Sequence, residues 1–188
     1  MREIPLFEHA CLKPLLVEDA VEMFTAIDSN RIHLREWLPW VNDTKAVEDT
    51  VEFITLMLEQ KARNQGIHFG IWYKGRLAGT LGVHRIDWHN GKTTMGYWLA
   101  ESFQGKGLMT SAVIAYMREY IFGVWQLNKL EIHAATENTR SRAIPERLGF
   151  HQDGILRQNE YLNGRYVDHV VYSLVAEEWQ RNYAKNLD

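Results

Sequence analysis

The run Glu101-Ser102-Phe103-Gln104-Gly105-Lys106-Gly107-Leu108-Met109-Thr110 stands where a strand pattern gives way to an apolar helical one. Residues of these types at such a junction can hold an anion. The first N–H groups of a helix lack intrahelical partners and sit at the positive end of its dipole, and glycines let the backbone approach a phosphate with no side chain in the way. Gly105, Gly107 and the Lys106 ammonium therefore suit a pyrophosphate, against the plainer reading of a glycine-rich helix entry. Two nucleotide motifs do not fit. A P-loop needs Gly-Lys followed by Ser or Thr, whereas Gly107 follows Lys106, and the dinucleotide fingerprint wants glycine where Thr110 stands.

Other reactive side chains are less telling on their own. Ser141, after Asn138-Thr139-Arg140, reads as first-turn capping chemistry, and Glu160 as a solvated glutamate just before a hairpin. Arg140, Arg142 and Arg147 read as a solvated helix face. Cys11 is the single cysteine, so an intrachain disulfide is impossible, and in a predicted strand it behaves as a small buried hydrophobe rather than a nucleophile. The eight histidines show no His-x-x-x-His pair, which argues against a metal site, and no Gly-x-Ser-x-Gly elbow is present.

Hydrophobic periodicity supplies the elements that must position these groups. Residues 10–16 read as a strand, with Pro14 at an edge or an end. Val17, Ala20, Val21, Phe24 and Ile27 recur at helical spacing, with Glu18 and Asp19 early, where the helix dipole favours acid. Leu34-Arg35-Glu36-Trp37-Leu38-Pro39-Trp40 sets two tryptophans around a proline and reads as a shaped loop, core-anchoring or pocket-lining. Asn42-Asp43-Thr44 offers caps for a second helix running to about Arg63. Segments 68–73, 76–83 and 93–99 read as antiparallel strands joined by Lys74-Gly75 and Asn90-Gly91 turns. The rest reads as helix 108–122, strand 130–136, helix 140–148 stopped by Gly149, strand 151–157, and a final hairpin at Asn163-Gly164 into 166–174. Strand 93–99, the helix and strand 130–136 form a parallel unit that should cross right-handed.

The whole chain, 1–188, is thus expected to be a single α+β domain with a mixed, mostly antiparallel sheet and flanking helices. Its 46% hydrophobic and 24% charged residues exclude disorder and fibrous repeats, and a net charge of −3 gives no footprint for a nucleic-acid backbone. No segment reaches the roughly twenty apolar residues of a membrane span, and the first residues lack a secretory pattern. With a single cysteine, this leads us to expect a cytoplasmic protein.

Gln104-Gly105-Lys106-Gly107-Leu108 resembles the signature Gln/Arg-x-x-Gly-x-Gly/Ala of the GNAT superfamily of acetyl-CoA-dependent N-acetyltransferases. Met109 stands where the general pattern prefers a small residue, as in the subgroup acetylating ribosomal-protein N-termini. Gly96-Tyr97-Trp98-Leu99, the loop Leu34 to Trp40, and Asn138-Thr139-Arg140-Ser141 leading to Arg147-Leu148-Gly149-Phe150 resemble three further segments of that subgroup in matching order. The resemblance implies that strands 93–99 and 130–136 splay apart around the coenzyme's pantetheine arm. Trp98 and Leu99 would hold that arm, Gln104, Gly105, Lys106, Gly107, Leu108, Met109 and Thr110 the pyrophosphate, and Asn138 the arm's amide. It further implies Glu160 as general base and Ser141 as proton donor to the leaving sulfur. Trp37 and Trp40 are candidates for one wall of the acceptor site, against the plainer reading of packing anchors, and Arg140, Arg142 and Arg147 for the 3′-phosphate, against that of a solvated helix face.

Acetyl-CoA is then the cosubstrate and no metal is needed. The expected acceptor is a protein N-terminus, with a small-molecule amine such as a polyamine, amino acid, toxin or antibiotic as the nearest alternative. An acyl-CoA-binding module without turnover is the reading from another class. Exposed sheet edges and aromatic content are compatible with a homodimer.

Overall fold

The computed structural model describes residues 3–183. Eight strands form one sheet in the order β1-β2-β3-β4-β5-β6-β8-β7. They are β1 (Ile4–Phe7), β2 (Ala10–Pro14), β3 (His68–Tyr73), β4 (Arg76–Val83), β5 (Lys92–Leu99), β6 (Lys129–Ala135), β7 (His151–Leu162) and β8 (Arg165–Val175). The helices are α1 (Ala20–Asp28), α2 (Arg31–Leu34), α3 (Val47–Ala62), α4 (Leu108–Tyr116), α5 (Thr139–Arg147) and α6 (Ala176–Asn182). Every neighbouring pair is antiparallel except β5 and β6, as the mixed-sheet reading requires.

Each face of the sheet buries a separate apolar layer. On one side α4 sets Leu108, Val113 and Tyr116 against Phe69, Met95 and Ile132. On the other, α1 and α3 set Met23, Ile27 and Ile54 against Trp72, Leu77 and Trp98. The two helices are also tied by the Thr50 hydroxyl, which donates to the Ala20 carbonyl at 3.0 Å. No helix among the described residues is long and apolar enough to cross a membrane.

Several elements differ from the sequence reading for identifiable reasons. β1 has four residues including Pro5, too short to show alternation, and it sits at the sheet edge where a proline is tolerated. The helix after Tyr116 continues as π-helix over Met117–Val124. Asn42, Asp43 and Thr44 do not cap α3: the Asp49 carboxylate reaches back to accept from the N–H groups of Lys45 at 2.7 Å and Ala46 at 2.8 Å. α6 is a short helix anchored by Trp179, which stacks between Phe122 and Tyr183 with ring centroids 5.3 and 4.5 Å away. β7 runs on to Leu162 rather than stopping near 157, so Glu160 lies within a strand. The outer ends of the 1–188 span lie outside the described residues.

The parallel pair determines where a ligand can enter. β5 and β6 are bonded only from Lys92↔Lys129 to Met95↔Ile132. Beyond that point β5 stays with β4 as far as Gly79↔Leu99, and β6 stays with β8 as far as Ala135↔His169. The two strands part, each held by its outer neighbour.

A polar network crosses the sheet at the other, still-paired end of β5 and β6. The Lys129 ammonium lies 2.9 Å from Glu131 and 3.0 Å from Asp153, and Asp153 also accepts the Ser173 hydroxyl at 2.8 Å and meets the His151 ring at 2.9 Å. Partial burial alone would raise the Asp153 carboxyl, but the bonds from His151, Lys129 and Ser173 outweigh it and hold it at about 2. A carboxyl lowered in the folded state stabilises above its unfolded value and loses that contribution as pH falls, here from about 4 to about 2. Thermal melts across this window should therefore show Asp153→Asn less acid-sensitive than the parent. Parallel curves for the two proteins would exclude the network as a source of acid lability.

Candidate active site

The gap between β5 and β6 presents main-chain groups. The Ala100 N–H donates to the Ala78 carbonyl on β4 at 2.8 Å. Alternation along the strand then aims the peptide groups of Trp98 at β4 as well, and those of Tyr97 and Leu99 into the gap. Trp98 thus turns its backbone away, and its side chain is buried at 7% exposure and tilted against Trp40 with ring centroids 6.4 Å apart. Of the two residues expected at the arm, only Leu99 offers its main chain there, and Tyr97 joins it.

At the end of β5 a 3-10 turn, Glu101–Phe103, leads to Gln104 and the glycine loop. Gly105 and Gly107 take φ values of +73° and +76°, and a Cβ added at either would meet no atom within 4 Å. Their surroundings are open, and the left-handed backbone suits glycine. Leu108 and Met109 are buried in the core, so they can offer a ligand only their backbone N–H groups at the start of α4. The Thr110 hydroxyl accepts from Arg147 at 3.0 Å, and the Lys106 ammonium donates to the Ser102 carbonyl at 2.7 Å. Gln104 ties three elements together: its oxygen accepts from Arg140 of α5 at 2.8 Å, and its amide nitrogen lies 2.7 Å from His33 Nε2 of α2.

Ser141 is placed by a device built on Pro145. Pro145 lies inside α5, four residues after Ser141. A proline there has no N–H to give the Ser141 carbonyl and its ring crowds that oxygen, so the group must find another donor. The Tyr97 hydroxyl supplies it at 3.0 Å and also lies 3.5 Å from Ser141 Oγ. Asn138 caps the same turn, its side-chain oxygen accepting from the Ser141 N–H at 3.1 Å. Burial pushes the Tyr97 phenol well above its usual range, so it stays a neutral donor. Tyr97→Phe leaves the Ser141 carbonyl without this donor, at about 1–2 kcal/mol. A melting temperature lowered by roughly 3–6 °C is expected by calorimetry. An unchanged value would show that the carbonyl is satisfied in another way.

Glu160 follows an irregularity in β7. The register with β8 jumps from Leu156↔His169 to Glu160↔Val167, so Arg157, Gln158 and Asn159 bulge out opposite Asp168. Gln158 sits at the left-handed φ of +48°, and its N–H is held by the Asp168 carboxylate at 2.7 Å. Glu160 emerges one-third exposed, with Oε2 3.3 Å from Nε2 of His169 on β8.

At the end of β6, a pocket of about 220 Å³ is lined by Trp37, Ala135, Thr136, Glu137 and the β8 residues Arg165 to Asp168. Trp37 packs beside Ala135, Leu162 and Val167, and Leu162 shares a face of β7 with Glu160, two residues earlier. Asn163 at the hairpin tip donates to the carbonyls of Arg35 and Glu36 at 3.1 and 3.2 Å, joining the tryptophan loop to the hairpin. Neither Glu160 nor Ser141 lines the pocket: Glu160 is paired with Val167, which does, Ser141 is held by Tyr97 and Asn138, and Trp40 lies with Trp98. Tyr97, Pro145 and His169 were missed by sequence reasoning. Only Pro145 carried a local signal, a proline within a helical pattern. Among the described residues no group of three or more His, Cys, Asp and Glu could hold a metal ion.

Comparison with known proteins agrees with this geometry. The family model of the acetyltransferase (GNAT) domain matches residues 9–151. A putative ribosomal N-acetyltransferase of Bacillus subtilis, YdaF, is 36% identical over 92% of this chain and 94% of its own. The ribosomal-protein-serine acetyltransferase of Escherichia coli is 30% identical over 82% of this chain and 86% of its own. Among solved structures, the microcin C7 self-immunity acetyltransferase MccE, in complex with acetyl-CoA and AMP, superposes with TM-score 0.86 at 29% identity over 90% of this chain and 94% of that one. RimL, a ribosomal alpha-N-protein acetyltransferase in complex with coenzyme A, gives 0.85 at 25% identity over 94% and 99%. A splayed parallel pair, an open glycine loop at a helix start and a family match over most of the chain converge: the chain belongs to the GNAT acetyltransferases and is an acetyl-CoA-dependent N-acetyltransferase.

Proposed function

We propose that this enzyme acetylates the N-terminal α-amine of a protein, a ribosomal protein foremost, by direct attack within a ternary complex. The observation that supports the reading is a pocket of about 220 Å³ beside Trp37 at the end of β6, bounded by the tryptophan loop and the last hairpin. It suits one terminal residue. A second depression, lined by Ile32, Arg35, Glu36, Asn42 and Asn163, shares the tryptophan loop and the hairpin and gives room for the main chain that follows. The names of the Bacillus and Escherichia relatives support the same acceptor.

Acetyl-CoA supplies the thioester carbonyl. The peptide groups of Tyr97 and Leu99 would bind the amides of its arm, the Asn138 amide nitrogen would donate to the arm, and the N–H groups from Gly105 to Thr110 with Lys106 would take the pyrophosphate. Glu160 takes a proton from the acceptor ammonium, which is mostly charged at pH 7; the freed amine bonds to the thioester carbon, the C–S bond breaks, and the Ser141 hydroxyl passes a proton to the sulfur and regains the one that the nitrogen sheds. Because a serine hydroxyl is a weak acid, Ser141→Ala should lower kcat only about tenfold while sparing acetyl-CoA binding. The full 1–188 chain acts as one acetyltransferase domain in the cytoplasm on this reading.

The neighbour MccE, a self-immunity enzyme solved with AMP, favours a second reading in which the acceptor is a small-molecule amine. Labelled acetyl-CoA added to a cell extract, followed by separation of ribosomal proteins from small molecules and terminal-peptide mass spectrometry, separates the two. Label on a protein α-amine is expected. Label confined to the small-molecule fraction would overturn the protein acceptor.

A further inference from the structure

We propose that His169 is a positioning residue for Glu160, holding its carboxylate toward the acceptor side of β7; this rests on the reading of Glu160 as the base. The imidazole is largely enclosed, with 13% of its side chain exposed, and its Nε2 lies 3.3 Å from Glu160 Oε2 with no other polar partner. The second ring nitrogen, Nδ1, lies 3.2 Å from the Asn159 side-chain amide nitrogen. An amide N–H can only donate, so Nδ1 presents its lone pair and the ring proton sits on Nε2, facing the carboxylate. The contact with Glu160 is close enough for attraction but not aligned as a good hydrogen bond in the free enzyme. Such bonds often tighten only when substrate arrives.

The bulge explains how one ring is reached from both sides. In a regular strand the consecutive residues Asn159 and Glu160 would project to opposite faces. Here the extra residues opposite Asp168, with Gln158 in the left-handed region, turn Asn159 back so that both side chains close on His169. A left-handed glutamine costs conformational energy and persists because the Asp168 carboxylate holds its N–H at 2.7 Å. His169 itself is paired across to Ala135, which lines the pocket beside Trp37. The clasp therefore sits next to the acceptor, where a freely rotating glutamate would spend much of its time pointing to solvent.

The test uses the full chain, acetyl-CoA and a peptide with a free N-terminal serine. His169→Phe is expected to lower kcat roughly 10–50-fold while the acetyl-CoA Kd changes less than about twofold, because only the orientation of the base is lost. His169→Gln, which restores an N–H near the Nε2 position, should recover kcat to within about threefold of the parent. In a Glu160→Gln background, His169→Phe should cost nothing more, since a residue acting through another is silent once that one is gone. Wild-type kcat in His169→Phe, or an equal further loss in the Glu160→Gln background, would overturn the proposal. If the phenylalanine variant does not fold, Asn159→Ala at its exposed position takes its place, and an unchanged kcat there overturns it equally. Loss of activity in Glu160→Gln combined with full activity in His169→Phe refutes the clasp alone, whereas full activity in Glu160→Gln refutes the base and the clasp together.

Discussion

Glu160→Gln is expected to lower kcat at pH 7 by about 10²–10⁴, with acetyl-CoA binding and melting temperature close to the parent's. The change keeps the shape of the side chain and an oxygen that can still meet His169, and it removes only the ability to take a proton. Glu160 is one-third exposed, so little packing rides on it. The deficit should depend on pH in a defined sense. An α-amine titrates near pH 8, so raising the pH from 7 to 9 supplies the neutral nucleophile without help, and the variant should approach the parent as it does. A purely structural defect would persist across that range. Steady-state kinetics with the serine peptide at several pH values reads both quantities, and full activity at pH 7 would remove Glu160 from the mechanism.

What could be read in the sequence divides along physical lines. The helix entry at Gly105-Lys106-Gly107 was legible because glycine at a strand-to-helix junction has few other reasons to occur in a pair. Seven of the eight strands and the parallel unit were legible from periodicity and turn residues such as Asn163-Gly164, whereas β1 and the sheet order β6-β8-β7 were not. Other features depend on pairing between distant segments. No local pattern reveals that the β5–β6 ladder stops at Met95 and Ile132, since that outcome reflects which neighbour holds each strand beyond the break. The bulge before Glu160 is equally silent: Arg157, Gln158 and Asn159 are ordinary strand-surface residues, and their left-handed turn is forced by the Asp168 carboxylate ten positions beyond Gln158. Trp98 shows a third limit. Alternation places it on a face but does not say which main-chain groups a neighbouring strand has already claimed, and β4 claims those of Trp98.

Gly107→Ala and Gly105→Ala should each raise the Kd for acetyl-CoA roughly 10–100-fold, about 1.4–2.8 kcal/mol of binding. Two costs must be separated to make this test meaningful. The first is backbone strain: alanine at φ near +75° costs about 1–2 kcal/mol wherever it occurs and falls on the free protein as well as the complex. The second is specific to a ligand. A Cβ at either position meets nothing within 4 Å in the protein, so it would enter only the space that the pyrophosphate is proposed to use. Gly75 and Gly164 provide the control, because they have φ values of +77° and +84° and equally empty surroundings but lie in turns joining β3 to β4 and β7 to β8. All four alanine variants should lose similar stability by calorimetry, and only those at 105 and 107 should lose affinity by titration calorimetry. If the loop variants are as destabilised as the controls yet bind acetyl-CoA normally, the glycines serve the helix start alone and the phosphate must be held elsewhere.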